Sequence, residues 1–136
     1  MDILRKFHPL WALRIGLGLM YVYSGTSLIR QPLDWQGFLP PWFGDFVGRF
    51  MPLPTYFAIQ GAGELVMAAV FILPLVPLYV VRIAAVAAAL EFAGILLFTG
   101  LDLVTFRDIG LLGAAVALVV MSSVRLENNK NPFRRP

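Results

Sequence analysis

PTYFAIQGAGELVMAAVFIL, residues Pro54–Leu73, is a nearly unbroken apolar stretch with a single carboxylate, Glu64, at its centre. About twenty such residues are what a helix needs to cross a hydrocarbon layer roughly 30 Å thick. A carboxylate at that depth costs on the order of 2.5–3.5 kcal/mol on insertion scales, so it faces protein or a wet cavity rather than lipid. Gly61 and Gly63 precede it and allow a second helix to come close.

The rest of the chain repeats the pattern. Hydrophobic residues make up 59% of the 136 and charged residues only 14%, against about 25% charged in soluble domains. A soluble core of this size cannot hide that excess, so lipid must cover it. Apolar runs at about 11–29, 54–73, 78–98 and 105–124 predict an all-α integral membrane protein, a single-domain four-helix transmembrane bundle. Arg5 and Lys6 ahead of the first run resemble the start of a signal peptide. The run continues to Ile29 with no clear A-x-A site, and the expectation is an uncleaved first span.

Several chemistries are excluded by residue type. The chain has no cysteine, which removes thiol–disulfide chemistry, thiolate metal sites and iron–sulfur clusters from its own repertoire. His8, the one histidine, precedes the first span, so a bis-histidine haem within the bundle is out and no metal site is expected. The net charge of +3 comes from basic residues gathered at the termini, not along one face, and does not indicate nucleic-acid binding.

Between the first two spans, Arg30–Leu53 forms the longest connection, punctuated by Pro32, Pro40, Pro41 and Pro52. Trp35, Phe38, Trp42, Phe43, Phe46 and Phe50 recur in it at helix-like intervals. Aromatic rings with polar neighbours suit the headgroup level, so an interfacial anchor is expected, with a lid over a binding cavity as the alternative. Pro74 and Pro77 bracket the next turn, and Gly100 and Asp102 lie in the last connection. The tail RLENNKNPFRRP reads as polar, basic and frayed.

The basic residues also orient the chain. The two ends carry Arg5, Lys6, Arg125, Lys130, Arg134 and Arg135, and the second-to-third turn adds Arg82, against Arg30, Arg49 and Arg107 on the opposite side. The positive-inside rule then puts both termini in the cytoplasm and the aromatic connection outside.

From the ~1.5 Å helical rise, Arg14 and Arg82 lie roughly 6 Å from the cytoplasmic side and Glu64 roughly 13 Å. Glu91 comes out near ~20 Å, and Arg107 and Asp108 near ~25 Å. Two ladders are therefore expected: Arg14 or Arg82 to Glu64, and Arg107 to Glu91. These charges pair only to reduce their insertion cost, or they form a polar pocket for a lipid-like headgroup or a quinone, or Glu64 carries protons. Tyr21, Tyr23, Ser24 and Thr26 add hydroxyls to the outer half of the first span, as ligand contacts or as interhelical hydrogen bonds. No catalytic residue is assigned.

The order of these pieces resembles the DoxX family of small four-span membrane proteins. The matching residues are Arg14 followed by Gly18 and Gly25, Gly61-Ala62-Gly63-Glu64-Leu65, Arg82-Ile83-Ala84-Ala85, and Arg107-Asp108-Ile109-Gly110-Leu111-Leu112. The chain departs from the pattern at Ser27 and Leu28, where DoxX-like proteins often carry a lysine. The resemblance implies a bacterial inner-membrane protein linked to membrane oxidoreductase assemblies. With no cysteine or cofactor motif, this chain would assist such chemistry as a non-enzymatic accessory subunit, by docking a partner or holding a quinone. The alternative is a small proton-coupled transporter working as a homodimer through Glu64.

Overall fold

The computed structural model describes residues 8–130, which form helices and turns with no strand among them. Helix α1 spans Pro9–Arg30, a 3₁₀ segment Pro32–Phe38, α2 Pro41–Gly48, α3 Leu53–Ile72, α4 Leu78–Phe98 and α5 Phe106–Lys130. Arg5, Lys6, Arg134 and Arg135, on which the orientation argument leans, lie outside the described residues. Proline sets most of the starts, because its fixed φ suits the first turn and its missing N–H is not needed there. It stands at the first or second position of α1, α2 and α3, and Pro77 immediately precedes α4.

Helix α5 begins differently. Asp102 Oδ1 accepts from the amides of Val104 and Thr105, each at 2.7 Å, while the Thr105 hydroxyl accepts from the Asp102 amide at 2.9 Å. This reciprocal bonding is a capping box, satisfying amides that the first turn leaves without partners. Gly100, just before it, takes φ of 82°, a left-handed conformation that glycine adopts without strain. At its other end α5 runs on through Arg125–Lys130, so the first part of the polar tail is helical rather than frayed.

Helices α3, α4 and α5 are each long and apolar enough to cross a membrane. Helix α1 is just as long at 22 residues but is not one of the three. Arg14, Tyr21, Tyr23, Ser24, Thr26 and Ser27 dilute its apolar character. Large apolar side chains face outward on all four long helices, among them Leu19, Val66, Leu90 and Val120.

The four long helices pack mainly as two antiparallel pairs, α1 with α3 and α4 with α5. Gly25 and Gly61 set the first pair: a Cβ added to either would stand 2.7 Å from the other's carbonyl oxygen. Only glycine at both positions allows so close an approach. The pairs meet through α1–α5 and α3–α4. At the end bearing the N-terminus of α1 the junction is solid: Ala68, Ala84, Ala85, Ala88 and Ala115 bury almost completely among Leu17, Phe71, Val81 and Leu118. Small side chains let backbones approach closely and gain dispersion contacts, the main source of helix association in lipid.

Candidate functional site

At the opposite end the pairs diverge around a cavity of about 640 Å³. Its floor is Tyr21, 1% exposed, stacked between Phe71 and Phe92 at ring-centroid distances of 6.0 and 5.9 Å. The Tyr21 hydroxyl donates to Glu91 Oε2 at 2.6 Å. That distance is in the range of a charge-assisted O–H···O⁻ bond. Glu64, 6% exposed, lies in the wall from α3. Its Oε1 accepts from Gln60 Nε2 at 3.5 Å, one turn away. Its Oε2 is buried with no hydrogen-bond partner among the described residues, although the Ser24 hydroxyl lies close to the carboxylate. Asp108 and Arg107, in the first turn of α5, complete the polar lining.

The cavity is covered by the connection between α1 and α3. Trp35, Phe38, Trp42 and Phe43 line it directly. The cover is fastened to three helices. Trp35 Nε1 donates to Ser27 Oγ on α1 at 3.0 Å, and the Thr99 hydroxyl beyond α4 donates to the Phe38 carbonyl at 3.3 Å. Trp42 packs edge-on against Phe98 of α4 at 5.7 Å, and Phe43 against Tyr56 of α3 at 5.8 Å. Phe46 and Phe50 remain exposed on the far side, in keeping with an aromatic layer at a membrane surface. The connection thus stands over the cavity, as the lid reading expects.

Of the residues singled out from sequence, Tyr21, Tyr23, Glu64, Glu91, Arg107 and Asp108 all line this cavity. Tyr23 does so from the rim, 74% exposed. Arg14 and Arg82 do not contribute to it. Arg82 is exposed on α4.

The two expected charge ladders are not formed. Among the described residues no arginine nitrogen comes within 4.0 Å of a carboxylate oxygen. Arg14 instead donates Nε to the Phe71 carbonyl at 2.8 Å and Nη2 to those of Leu73 and Val70 at 2.7 and 3.3 Å. Its guanidinium also sits 4.2 Å from the Trp11 ring centroid. Register explains the difference. With Gly25 opposite Gly61, Glu64 is level with residue 22, about eight residues or ~12 Å along the axis from Arg14. The end of α3, meanwhile, presents carbonyls that lack helical partners, and Pro74 has no N–H to offer them. A cation at a helix C-terminus also complements the dipole. Similarly, the α4–α5 hairpin sets Arg107 near residue 97, roughly 9 Å from the level of Glu91, and leaves the nearer Tyr21 as that carboxylate's partner.

Gln60 and Phe57 are cavity residues that the sequence reading passed over. Gln60 had a signal: it is the only amide in an apolar run and precedes Glu64 by one helical turn. Phe57 had none, since an aromatic residue on an apolar helix is ordinarily packing. No group of three or more His, Cys, Asp or Glu side chains is arranged to hold a metal ion among the described residues.

Comparison with family models, characterised proteins and solved structures finds no match to this chain.

Proposed function

We propose that this chain is a DoxX-like protein of the bacterial inner membrane, crossing it four times with both termini in the cytoplasm. It is non-enzymatic and receives a lipid-like or quinone ligand under its aromatic cover, alone or as the accessory subunit of a membrane oxidoreductase assembly. The cavity carries this reading. At about 640 Å³ it falls within the range of small-molecule sites, and its walls are mostly apolar with a few convergent polar groups. Helix α1 is supported as a span by its packing against α3 and by Arg14, buried on that helix's terminal carbonyls. Its remaining surface, including Ile15, Leu19 and Val22, is apolar and outward-facing.

Mass spectrometry of gently purified protein tests the proposal. Wild type should retain a stoichiometric lipid-like or quinone molecule, and Gly94→Trp, which builds an indole into open space on the cavity wall, should lose most of it. Equal retention by both, or none in wild type, would count against the site. Partner proteins recovered in the same preparation would report the accessory role.

A second reading is favoured by the unpartnered oxygen of Glu64: a proton-coupled transporter, working as a dimer, in which that carboxylate alternates between proton and substrate. Proton-driven flux in liposomes, abolished by Glu64→Gln, would distinguish it.

A further inference from the structure

We infer that the cavity selects an amphipathic ligand whose head is a monovalent organic cation, a substituted ammonium, in preference to an anionic or uncharged head. This inference rests on the cavity being a ligand site and narrows the chemical class of that ligand.

The charge inventory comes first. Three carboxylates, Glu64, Glu91 and Asp108, face the cavity, against one guanidinium, Arg107. The two sides of this inventory are not equally placed. Glu64 and Asp108 are buried, at 6% and 8% exposure, whereas Arg107 is exposed at the margin. Glu91 already receives the Tyr21 hydroxyl, and Glu64 has one oxygen weakly held by Gln60. The other oxygen of Glu64 is enclosed and unpartnered, and the residue itself forms part of the cavity wall. A buried acceptor without a donor carries its full desolvation cost, and more so when ionised. An anionic headgroup would add to that cost, while a quinone brings carbonyl acceptors to a wall already rich in acceptors. A cationic head relieves it.

The second observation is the aromatic cover. Trp35, Phe38, Trp42 and Phe43 stand over the carboxylates, with Phe57 and Phe92 at the sides. Aromatic faces attract ammonium groups by their quadrupole, and the combination of ring faces with a carboxylate suits alkylated ammonium, which has few or no N–H donors. The remaining walls, including Leu28, Ile95 and Leu111, are aliphatic and accommodate an apolar tail.

The test uses full-length protein in dodecyl maltoside, with protein-free micelles as the baseline. Two probes are titrated: decyltrimethylammonium and its uncharged isostere, in which carbon replaces the nitrogen. Quenching or enhancement of tryptophan fluorescence reports occupancy, since Trp35 and Trp42 line the cavity. The expected result is a preference of about tenfold or more for the cation. Glu64→Gln should remove most of that preference, weakening the cation's binding far more than it alters the isostere's, and Asp108→Asn should reduce it independently. Equal binding of both probes would overturn the cation inference while leaving the cavity as a ligand site. No saturable binding of either probe would overturn the inference together with the site beneath it. If Glu64→Gln does not fold, the wild-type ratio and Asp108→Asn still decide.

Discussion

The Tyr21 hydroxyl donates to Glu91 across 2.6 Å and joins α1 to α4 at the floor of the cavity, although the two residues are far apart in sequence. Its ring is held between Phe71 and Phe92, so the hydroxyl is delivered by a side chain that packing has already oriented. Tyr21→Phe keeps the stacking and removes only the donor. The variant should lose about 1–2 kcal/mol, because the remaining carboxylate stays partly buried without its best partner. Thermal unfolding in detergent measures this, and Glu91→Gln, which keeps an acceptor, should cost less.

Arg14 serves the end of α3 rather than Glu64. Arg14→Met should therefore destabilise by about 2–4 kcal/mol by stripping donors from three carbonyls. Combining it with Glu64→Gln should give additive effects within about 0.5 kcal/mol, as for residues that share no partner. Strong coupling in that double-mutant cycle would instead restore the ion pair.

The α1–α3 contact at Gly25 and Gly61 admits no side chain. Gly61→Ala would press a methyl group against the Gly25 carbonyl at 2.7 Å and against the side chains of Ile29 and Leu28. A loss of about 1–3 kcal/mol is expected from such overpacking. Gly63→Ala is the control: nothing lies within 4 Å of the added Cβ. The same thermal scans should find it neutral or slightly stabilising, since alanine is the better helix former.

How much of this was legible in the sequence depends on the kind of interaction. Helix limits were readable because proline and glycine act locally: Pro9, Pro41, Pro54, Pro77 and Gly100 mark starts and stops that need no knowledge of neighbours. Tyr21, Glu64, Glu91 and Asp108 were each readable as polar residues within apolar helices. The depth estimate set Glu64 apart from Glu91 and Asp108, in the half of the bundle that holds Arg14 and Arg82, whereas all four line one cavity. Their partners were not readable. Depth from a common plane ignores the register of each pair, and Gly25 against Gly61 sets a register that separates Arg14 from Glu64. The donors for the α3 terminus had one unread signal: prolines at 74 and 77 leave carbonyls that something else must satisfy. The folding of the aromatic connection over the cavity depends on Ser27 of α1, Tyr56 of α3, Phe98 of α4 and Thr99 just beyond it, and no local pattern encodes it.

Asp102 offers a pH-dependent test outside the membrane-spanning segments. The amides of Thr105 and Val104 hold its carboxyl below the usual aspartate range. A group with a lowered folded-state pKa stabilises fully above its unfolded pKa of about 3.9 and loses that contribution as pH falls through the folded value. Asp102→Asn keeps an acceptor for the cap but cannot titrate. Its unfolding midpoint should therefore change less than that of wild type between neutral and strongly acidic pH. An identical acid limb for both proteins would show that the cap does not contribute through its charge.

Orientation can be read directly because the chain has no cysteine. Gly37 and Asn128 are both exposed, one on the cover and one near the end of α5. Single cysteines there, probed with a membrane-impermeant maleimide in cells with a permeable outer membrane, should label at position 37 and not at 128. Labelling of 128 alone would invert the assignment.

The uneven packing of the two ends has a mechanical corollary. Where Ala84, Ala85 and Ala88 meet Ala68 and Ala115 the helices touch through methyl groups set among the buried Leu17, Phe71, Val81 and Leu118, a close junction of the kind a pivot needs. The α1–α3 and α4–α5 pairs are then two arms of a pair of tongs, and a small angular change at the pivot is magnified along the helices to the jaws. Trp35, Phe38, Trp42 and Phe43 form a strap across those jaws, and its attachments to α1, α3 and the end of α4 would limit how far the arms open.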